Sequence, residues 1–109
     1  MDDALKTRLD ELVKSHKIVL FMKGTKNFPQ CGFSATVVEV LKRLDADFQG
    51  VNILAEPEVR AGMKEYASWA TFPQLWVDGK FVGGCDIVRE MYETGELAPI
   101  VDSALGRAS

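Results

Sequence analysis

Residues 74–82 read Gln-Leu-Trp-Val-Asp-Gly-Lys-Phe-Val, and this stretch decides the fold because it predicts a β-hairpin. Asp78-Gly79 is the strongest short signal for a hairpin turn, and it separates two short runs that contain the aromatic and β-branched residues favoured in strands. We therefore predict strands over residues 74–77 and 80–82. The elements before and after the hairpin decide how its sheet is completed.

The chain before the hairpin alternates between helical and strand patterns. Apolar residues at helical spacing predict three helices, over residues 2–15, 32–44 and 57–66. Asp2 or Asp3 is a suitable N-cap for the first helix, and Pro57 suits the first turn of the third. Short apolar runs predict two buried strands, over residues 17–22 and 48–53. The segment 23–30 contains Gly, Asn and Pro and is predicted to be a loop.

Two further helices are predicted after the hairpin, over residues 86–94 and 96–105. Gly95 ends the first of them, and residues 106–109 are expected to form a mobile tail. The element order is therefore α-β-α-β-α-β-β-α-α. A βαβ unit followed by a hairpin gives an α/β fold, a four-stranded mixed sheet flanked by helices on both faces. Residues 1–109 show no repeat, linker or low-complexity segment and are predicted to form a single domain.

The composition limits the class of protein. A chain of 109 residues, 47% of them hydrophobic, suits one domain with its own core. The net charge is −3 and no basic run stands out, so nucleic acid is not an expected partner. No apolar run has the length of a membrane span and no signal-peptide pattern is present, so no membrane association is expected. The only cysteines, Cys31 and Cys85, are expected to be reduced thiols.

Cys31 is the first candidate for chemistry because it follows a loop and opens a predicted helix. Unpaired backbone N–H groups and the helix dipole favour an anion there, which lowers a thiol pKa and makes a reactive thiolate or a metal ligand. A half-buried structural cysteine is the alternative, but Pro29 and Gly32 keep bulk away from the sulfur. Ser34 stands where a dithiol site has its second cysteine, and a serine cannot resolve a mixed disulfide. Its hydroxyl is expected to bond a backbone group in the first helical turn, so Cys31 needs an external thiol for redox work.

Two other motifs predict a cradle for a peptide thiol. A cis Pro73 would expose the backbone of Phe72 for pairing with an extended ligand, and an ordinary trans proline is the alternative. Gly83-Gly84 allows a ligand to approach the backbone closely before a helix that begins at Asp86. Asp86 either meets a ligand ammonium group or is a simple N-cap.

Basic side chains accompany these motifs. Lys23 directly follows the first predicted strand, where it could hold a ligand carboxylate as a point charge, although a solvated loop lysine is the more common case. Arg60 and Lys64 are most simply interpreted as solvent-facing charges of a helix.

Taken together, the motifs resemble the monothiol CGFS-type glutaredoxins, in the same order and from about Leu12 to Leu97. The matching residues are Lys23-Gly24, Pro29, Cys31-Gly32-Phe33-Ser34, Trp69, Thr71-Phe72-Pro73-Gln74 and Gly83-Gly84-Cys85-Asp86-Ile87. The long loop before Cys31 also resembles this family rather than the dithiol glutaredoxins. One departure is Ala70, where the family usually has proline; we expect a slightly looser loop there and an unchanged cis Pro73.

This resemblance implies a thioredoxin-like fold and a site for glutathione. Lys23 and Arg60 would bind the glycine carboxylate of glutathione. Phe72 would pair with its cysteinyl backbone, and the turn at Cys85 and Asp86 would hold its γ-glutamyl end.

The resemblance also implies that Cys31 is the redox-active residue and a ligand of a [2Fe-2S] cluster. Such a cluster usually takes four thiolates, which Cys31 from two chains and two glutathione molecules would supply. The expected protein is a cluster-bridged homodimer that transfers the cluster to iron–sulfur acceptor apoproteins and interacts with a BolA-family protein. The alternative is a glutathione-dependent oxidoreductase, of at most weak activity, acting on protein–glutathione mixed disulfides. The family's range implies the bacterial cytoplasm, or an organelle stroma or matrix after removal of a transit peptide.

Cys85 has three competing roles: a small apolar filler, a second redox thiol or a cluster ligand. Its place beside Asp86 at a predicted helix start favours a thiolate, and it should lie near Cys31. We predict that Cys85 is not a cluster ligand.

Overall fold

A computed structural model describes residues 1–108 of the chain. Within them the helices are α1 (Asp3–Lys14), α2 (Gly32–Arg43), α3 (Pro57–Tyr66), α4 (Cys85–Thr94) and α5 (Leu97–Leu105). The strands are β1 (Ile18–Met22), β2 (Gln49–Asn52), β3 (Gln74–Val77) and β4 (Lys80–Gly83). The predicted element order is confirmed, and no predicted bound differs from the observed one by more than one residue. None of the helices in the described part is long and apolar enough to cross a membrane.

The four strands form one mixed sheet in the order β2-β1-β3-β4. β1 pairs in parallel with β2 and antiparallel with β3, and β3 pairs antiparallel with β4. The hairpin turn takes left-handed backbone angles at both central residues, with φ of 52° at Asp78 and 73° at Gly79. These angles match the right-handed twist of the flanking strands, which is why the dipeptide predicts the hairpin correctly.

The two faces of the sheet bury separate apolar clusters. Alternate residues of β1 point to opposite faces: Leu20 packs with α2, α4 and α5, whereas Phe21 packs with α1 and α3. Both inner strands, β1 and β3, are buried at every position. The ends of these two strands therefore lie in the middle of the sheet, where the loops that follow β1 and precede β3 meet.

The cap residues explain where the helices begin and end. Asp2 is the N-cap of α1 and accepts a hydrogen bond from the Leu5 N–H at 2.8 Å. Pro57 occupies the first turn of α3, and Gly95 ends α4 with φ of 82°. α4 begins one residue earlier than predicted, with Gly84 as its N-cap. The N-cap interpretation of Asp86 is therefore wrong, since Asp86 lies inside the first turn.

The C-terminal segment is anchored further than expected. Arg107, inside the stretch expected to be mobile, donates hydrogen bonds to the backbone oxygens of Leu44 at 2.9 Å and Asp45 at 2.6 Å. Its guanidinium also lies 2.9 Å from the Asp102 carboxylate. These charge-assisted bonds cap the end of α2 and fix the chain as far as Arg107. Ser109, the last residue of the expected tail, lies outside the described residues.

Candidate functional site

Cys31 occupies the N-cap position of α2, as predicted from the loop-to-helix transition. Its backbone is extended, with φ of −149° and ψ of 135°, and its side chain makes no capping hydrogen bond to the helix. The residue is partly exposed and free of any disulfide. Phe33, two residues on, is 63% exposed. The thiol therefore sits at an open helix start beside an exposed aromatic ring.

The pKa of the Cys31 thiol is lowered from its ordinary value. The main cause is the backbone N–H of Ser34 in the first turn of α2, which stabilises the charge of the thiolate although its geometry falls short of a capping hydrogen bond. The N–H of Phe33, the charge of Lys23 and the Ser34 hydroxyl act in the same direction, while partial burial opposes them. The thiolate is the form that attacks disulfides and binds metals, so this site favours the reactive form.

Ser34 is fully buried, and its hydroxyl group forms a hydrogen bond with a different partner from the one expected. Its Oγ accepts a hydrogen bond from the backbone N–H of Lys23 at 3.1 Å, instead of being confined to its own helical turn. Lys23 directly follows β1, so this bond joins the end of the strand to the start of α2. Ser34 thereby fixes the position of Cys31 relative to the sheet.

The loop between β1 and Cys31 is held at two further points. Gly24 donates its N–H to Asn52 Oδ1 at 3.0 Å, and Gly24 forms an isolated bridge with Pro29. Gly24 has φ of 97°, and a Cβ there would lie 2.6 Å from the backbone oxygen of Phe28. Asn52 is not among the residues predicted for the site. Its signal is a polar residue at the end of β2, directly beside Met22 at the end of β1.

A cleft of about 660 Å³ opens next to these elements. Its lining consists of Lys23, Phe33, Arg60, Lys64, Trp69, Ala70, Thr71, Phe72, Gly84, Cys85, Asp86 and Ile87. The predicted ligand-binding residues Lys23, Arg60 and Phe72 therefore face one space, together with Cys85 and Asp86. Cys31 is not among the lining residues, but it precedes the wall residue Phe33 by two positions and is near enough to Cys85 to raise the pKa of that thiol.

The cleft contains more positively charged side chains than were predicted from the sequence. Arg60 and Lys64, interpreted as solvent-facing helix charges, both line the cleft because they are four residues apart on one face of α3. Lys23 faces them from the end of β1. Lys64 was missed as a site residue, and its signal was this spacing from Arg60. Three cations in one cleft favour a ligand with carboxylate groups.

The loop between α3 and β3 contains a cis peptide bond between Phe72 and Pro73, so the cis interpretation is confirmed. Phe72 lies two residues before Gln74, which forms the last β1–β3 pair with Phe21. The backbone of Phe72 is thus outside the strand pairing, at the edge of the cleft.

The start of α4 closes the cleft. The Gly84 Cα lies so close to Trp69 that an added Cβ would be 3.2 Å from the indole Nε1. The Asp86 carboxylate is 87% exposed and lies 3.4 Å from Arg89 Nη2. A carboxylate and the first N–H groups of α4 therefore stand side by side, which suits a ligand end that has both an ammonium and a carboxylate group.

Cys85 differs from the thiolate expected at a helix start. Its residue surface is only 9% exposed, and burial is the main cause that raises its pKa. Asp86 and Cys31 raise it further, whereas Arg89 and a hydrogen bond with Thr36 lower it by less. Desolvation of the thiolate raises the pKa by more than the position at a helix start lowers it. Cys85 therefore packs as a neutral thiol in the core.

Alkylation with iodoacetamide should separate the two thiols by pH. The alkylation rate follows the thiolate fraction, so its midpoint should lie at a lower pH for Cys31, whose pKa is lowered, than for Cys85, whose pKa is raised. Mass spectrometry of the two cysteine peptides across a pH series measures both midpoints. Cys31→Ser and Cys85→Ser assign the signals, and equal midpoints would contradict these environments.

Comparison with known proteins agrees with this geometry. Residues 18–82 match the glutaredoxin family model. The chain is 54% identical over 101 residues to chloroplastic monothiol glutaredoxin-S7 of Oryza sativa, which covers 93% of this chain and 60% of the rice protein. It is 49% identical over 105 residues to the monothiol glutaredoxin ycf64-like protein of Synechocystis, which covers 96% of this chain and 98% of that protein. The chain thus spans about three fifths of the rice relative and nearly all of the cyanobacterial one.

Solved structures give the same result. Reduced poplar apo GrxS14 superposes with a TM-score of 0.82 at 62% identity, covering 93% of each chain. A buckwheat glutaredoxin–glutathione complex superposes with a TM-score of 0.84 at 27% identity, covering 99% of each chain. The fold is thioredoxin-like, and the chain has a free, partly exposed Cys31 at a helix start and a cis peptide bond before Pro73, which together define a thiol protein of that class. The chain belongs to the monothiol glutaredoxin family.

Proposed function

We propose that this chain is a glutaredoxin of the CGFS type that holds a [2Fe-2S] cluster together with glutathione and transfers it to acceptor proteins. The observation that carries the proposal is Cys31, an open thiol of lowered pKa with no second thiol in the next helical turn. Ser34 occupies that place, fully buried and bonded to Lys23. A redox cycle within one chain has no resolving thiol here, whereas a metal ligand needs none.

The cleft fits glutathione by its chemistry. Glutathione has a carboxylate at its glycine end and both an ammonium and a carboxylate at its γ-glutamyl end. Lys23 and Arg60 would bind the glycine carboxylate, the free backbone of Phe72 would pair with the cysteinyl residue, and Cys85 and Asp86 would hold the γ-glutamyl group. The buckwheat neighbour was solved as a glutathione complex, which supports a peptide thiol in this cleft.

The number of available thiolates supports a shared cluster. A [2Fe-2S] cluster usually takes four thiolates, and the chain has two cysteines. Cys85 is a poor ligand because it is buried and its pKa is raised. Cys31 from each of two chains and the thiolate of one glutathione per chain would complete the set. The cluster is then the cargo of a homodimer, and iron–sulfur apoproteins receive it.

The surface around Cys31 suits association with other proteins. Phe28 and Phe33 lie three residues before and two residues after Cys31 in the chain, and they are 73% and 63% exposed. Exposed apolar groups of this size favour contact with a second copy, an acceptor or a BolA-family protein. Relatives named as chloroplastic and relatives from bacteria support a bacterial cytoplasm or an organelle stroma or matrix as the place of action.

The lowered pKa of Cys31 also favours a second candidate function, reduction of protein–glutathione mixed disulfides. The Cys31 thiolate would attack the glutathione sulfur, releasing the protein thiolate and leaving glutathione bound to Cys31 through a disulfide. A free glutathione thiolate would then attack that disulfide, releasing oxidised glutathione and regenerating the Cys31 thiolate.

Anaerobic reconstitution with ferrous iron, sulfide and glutathione tests the proposal. We expect visible absorption typical of a [2Fe-2S] cluster, a solution mass of two chains, and transfer of the cluster to an apoferredoxin. A colourless monomer that rapidly turns over a glutathionylated peptide would support the oxidoreductase instead.

A further inference from the structure

Gln74 is a fully buried polar residue that adjoins the cis bond of the cleft wall. Its side-chain Nε2 donates to the backbone oxygens of Trp69 at 3.1 Å and Thr71 at 3.3 Å. Both acceptors belong to the loop that lines the cleft, whereas the Gln74 backbone lies in β3 opposite Phe21. One amide group therefore ties the cleft loop to an inner strand of the sheet.

The other half of this amide is unsatisfied. Gln74 Oε1 is buried and has no hydrogen-bond partner. A buried acceptor without a partner is unfavourable, and an apolar side chain of similar length would avoid this penalty. The amide does supply two hydrogen bonds from Nε2, and both stabilise the loop.

The position of these two hydrogen bonds indicates which part of the cleft they stabilise. The two acceptors lie on either side of Ala70, a residue that does not restrict the backbone as a proline would. The loop continues directly into Phe72, whose backbone borders the cleft outside the strand pairing. Without the Gln74 amide, two carbonyl oxygens would lose their donor and the path of the chain into Phe72 would be less restricted.

We infer that Gln74 is a positioning residue for glutathione: its side-chain amide holds the 69–71 loop so that the Phe72 backbone is ready to pair with the ligand peptide. This inference rests on the proposed function, because that function places glutathione in the cleft. Gln74 does not line the cleft itself, so it acts only through the loop.

The test is a thiol–disulfide equilibrium at Cys31, followed on the peptide that contains Cys31 so that Cys85 is left in place. The Cys31 thiolate attacks oxidised glutathione, forming a Cys31–glutathione disulfide and releasing one glutathione thiolate. The same reaction with 2-hydroxyethyl disulfide forms a mixed disulfide without a peptide. Mass spectrometry of quenched mixtures gives both equilibrium constants, and their ratio measures the part of binding that depends on the glutathione peptide.

Gln74→Met removes the amide and keeps the length and burial of the side chain. We expect the glutathione constant to fall about tenfold, which corresponds to about 1.4 kcal/mol, with the 2-hydroxyethyl constant nearly unchanged. Equal falls in both constants, or no fall in either, would overturn the inference. A wild-type chain without preference for glutathione would overturn the proposed glutathione site as well, which separates the two failures.

Gln74→Glu provides a second readout that general loss of structure would not produce. An ionised carboxylate offers no donor to the two carbonyl oxygens, whereas its protonated form offers one. The glutathione preference of this variant, divided by that of the wild type, should therefore rise as the pH falls. A ratio that stays constant with pH would contradict the positioning role.

Discussion

We expect Cys31→Ser to abolish assembly of the proposed [2Fe-2S] cluster and to leave the fold intact. The substitution replaces the thiolate ligand at the start of α2 by a hydroxyl, which stays protonated at neutral pH and is a poor ligand for iron in such clusters. Cys31 is partly exposed and makes no capping bond, so the free energy of unfolding should change by about 1 kcal/mol or less. Anaerobic reconstitution with glutathione, followed by absorption spectroscopy and thermal unfolding, measures both effects.

Cys85→Ser is the matched control for this experiment. It makes the same atomic change at the other cysteine, whose thiol is buried and has a raised pKa. We expect this variant to assemble the cluster with glutathione present. A brown, dimeric Cys31→Ser protein, or a Cys85→Ser protein unable to assemble the cluster, would overturn the ligand set of two Cys31 residues and two glutathiones.

Omission of glutathione should have the second large effect. Reconstitution with dithiothreitol as the only added thiol should give little cluster that survives desalting, because Ser34 cannot supply the second thiolate of each chain. Addition of glutathione should restore the cluster and the dimeric mass. Absorption and solution mass of the desalted samples measure both results.

Two further measurements test whether the effect of glutathione depends on its binding in the cleft. 2-Mercaptoethanol supplies a thiolate without the peptide that the cleft would bind, so it should restore the cluster poorly. Lys23→Glu reverses one charge of the cleft and should raise the glutathione concentration needed for assembly. An equally stable cluster in glutathione-free buffer would contradict the proposal and point to Cys85 as the missing ligand.

Local signals in the sequence determined the elements that frame the site. The hairpin followed from Asp78-Gly79, whose left-handed angles the turn requires, and α3 followed from its spacing and from Pro57. The place of Cys31 at the start of α2 was also predictable, because a loop with Gly and Pro precedes an apolar face of helical period. Each of these features depends on residues only a few positions apart in the chain.

Contacts between distant segments decided the rest. Ser34 bonds Lys23 across 11 residues, and Asn52 holds Gly24 across 28, so neither role has a local sequence pattern. The burial of Cys85 likewise depends on packing around the start of α4, and it reverses the pKa direction expected from the helix start.

The positive charge of the cleft likewise depends partly on local sequence and partly on tertiary packing. The sequence by itself determined that Arg60 and Lys64 share one face of a helix, because their spacing is a property of the helix alone. Only the tertiary structure decided that this face borders a cleft rather than solvent. The physical reason is that helical period fixes which side chains lie together, whereas the packing of α3 against the sheet fixes what they face.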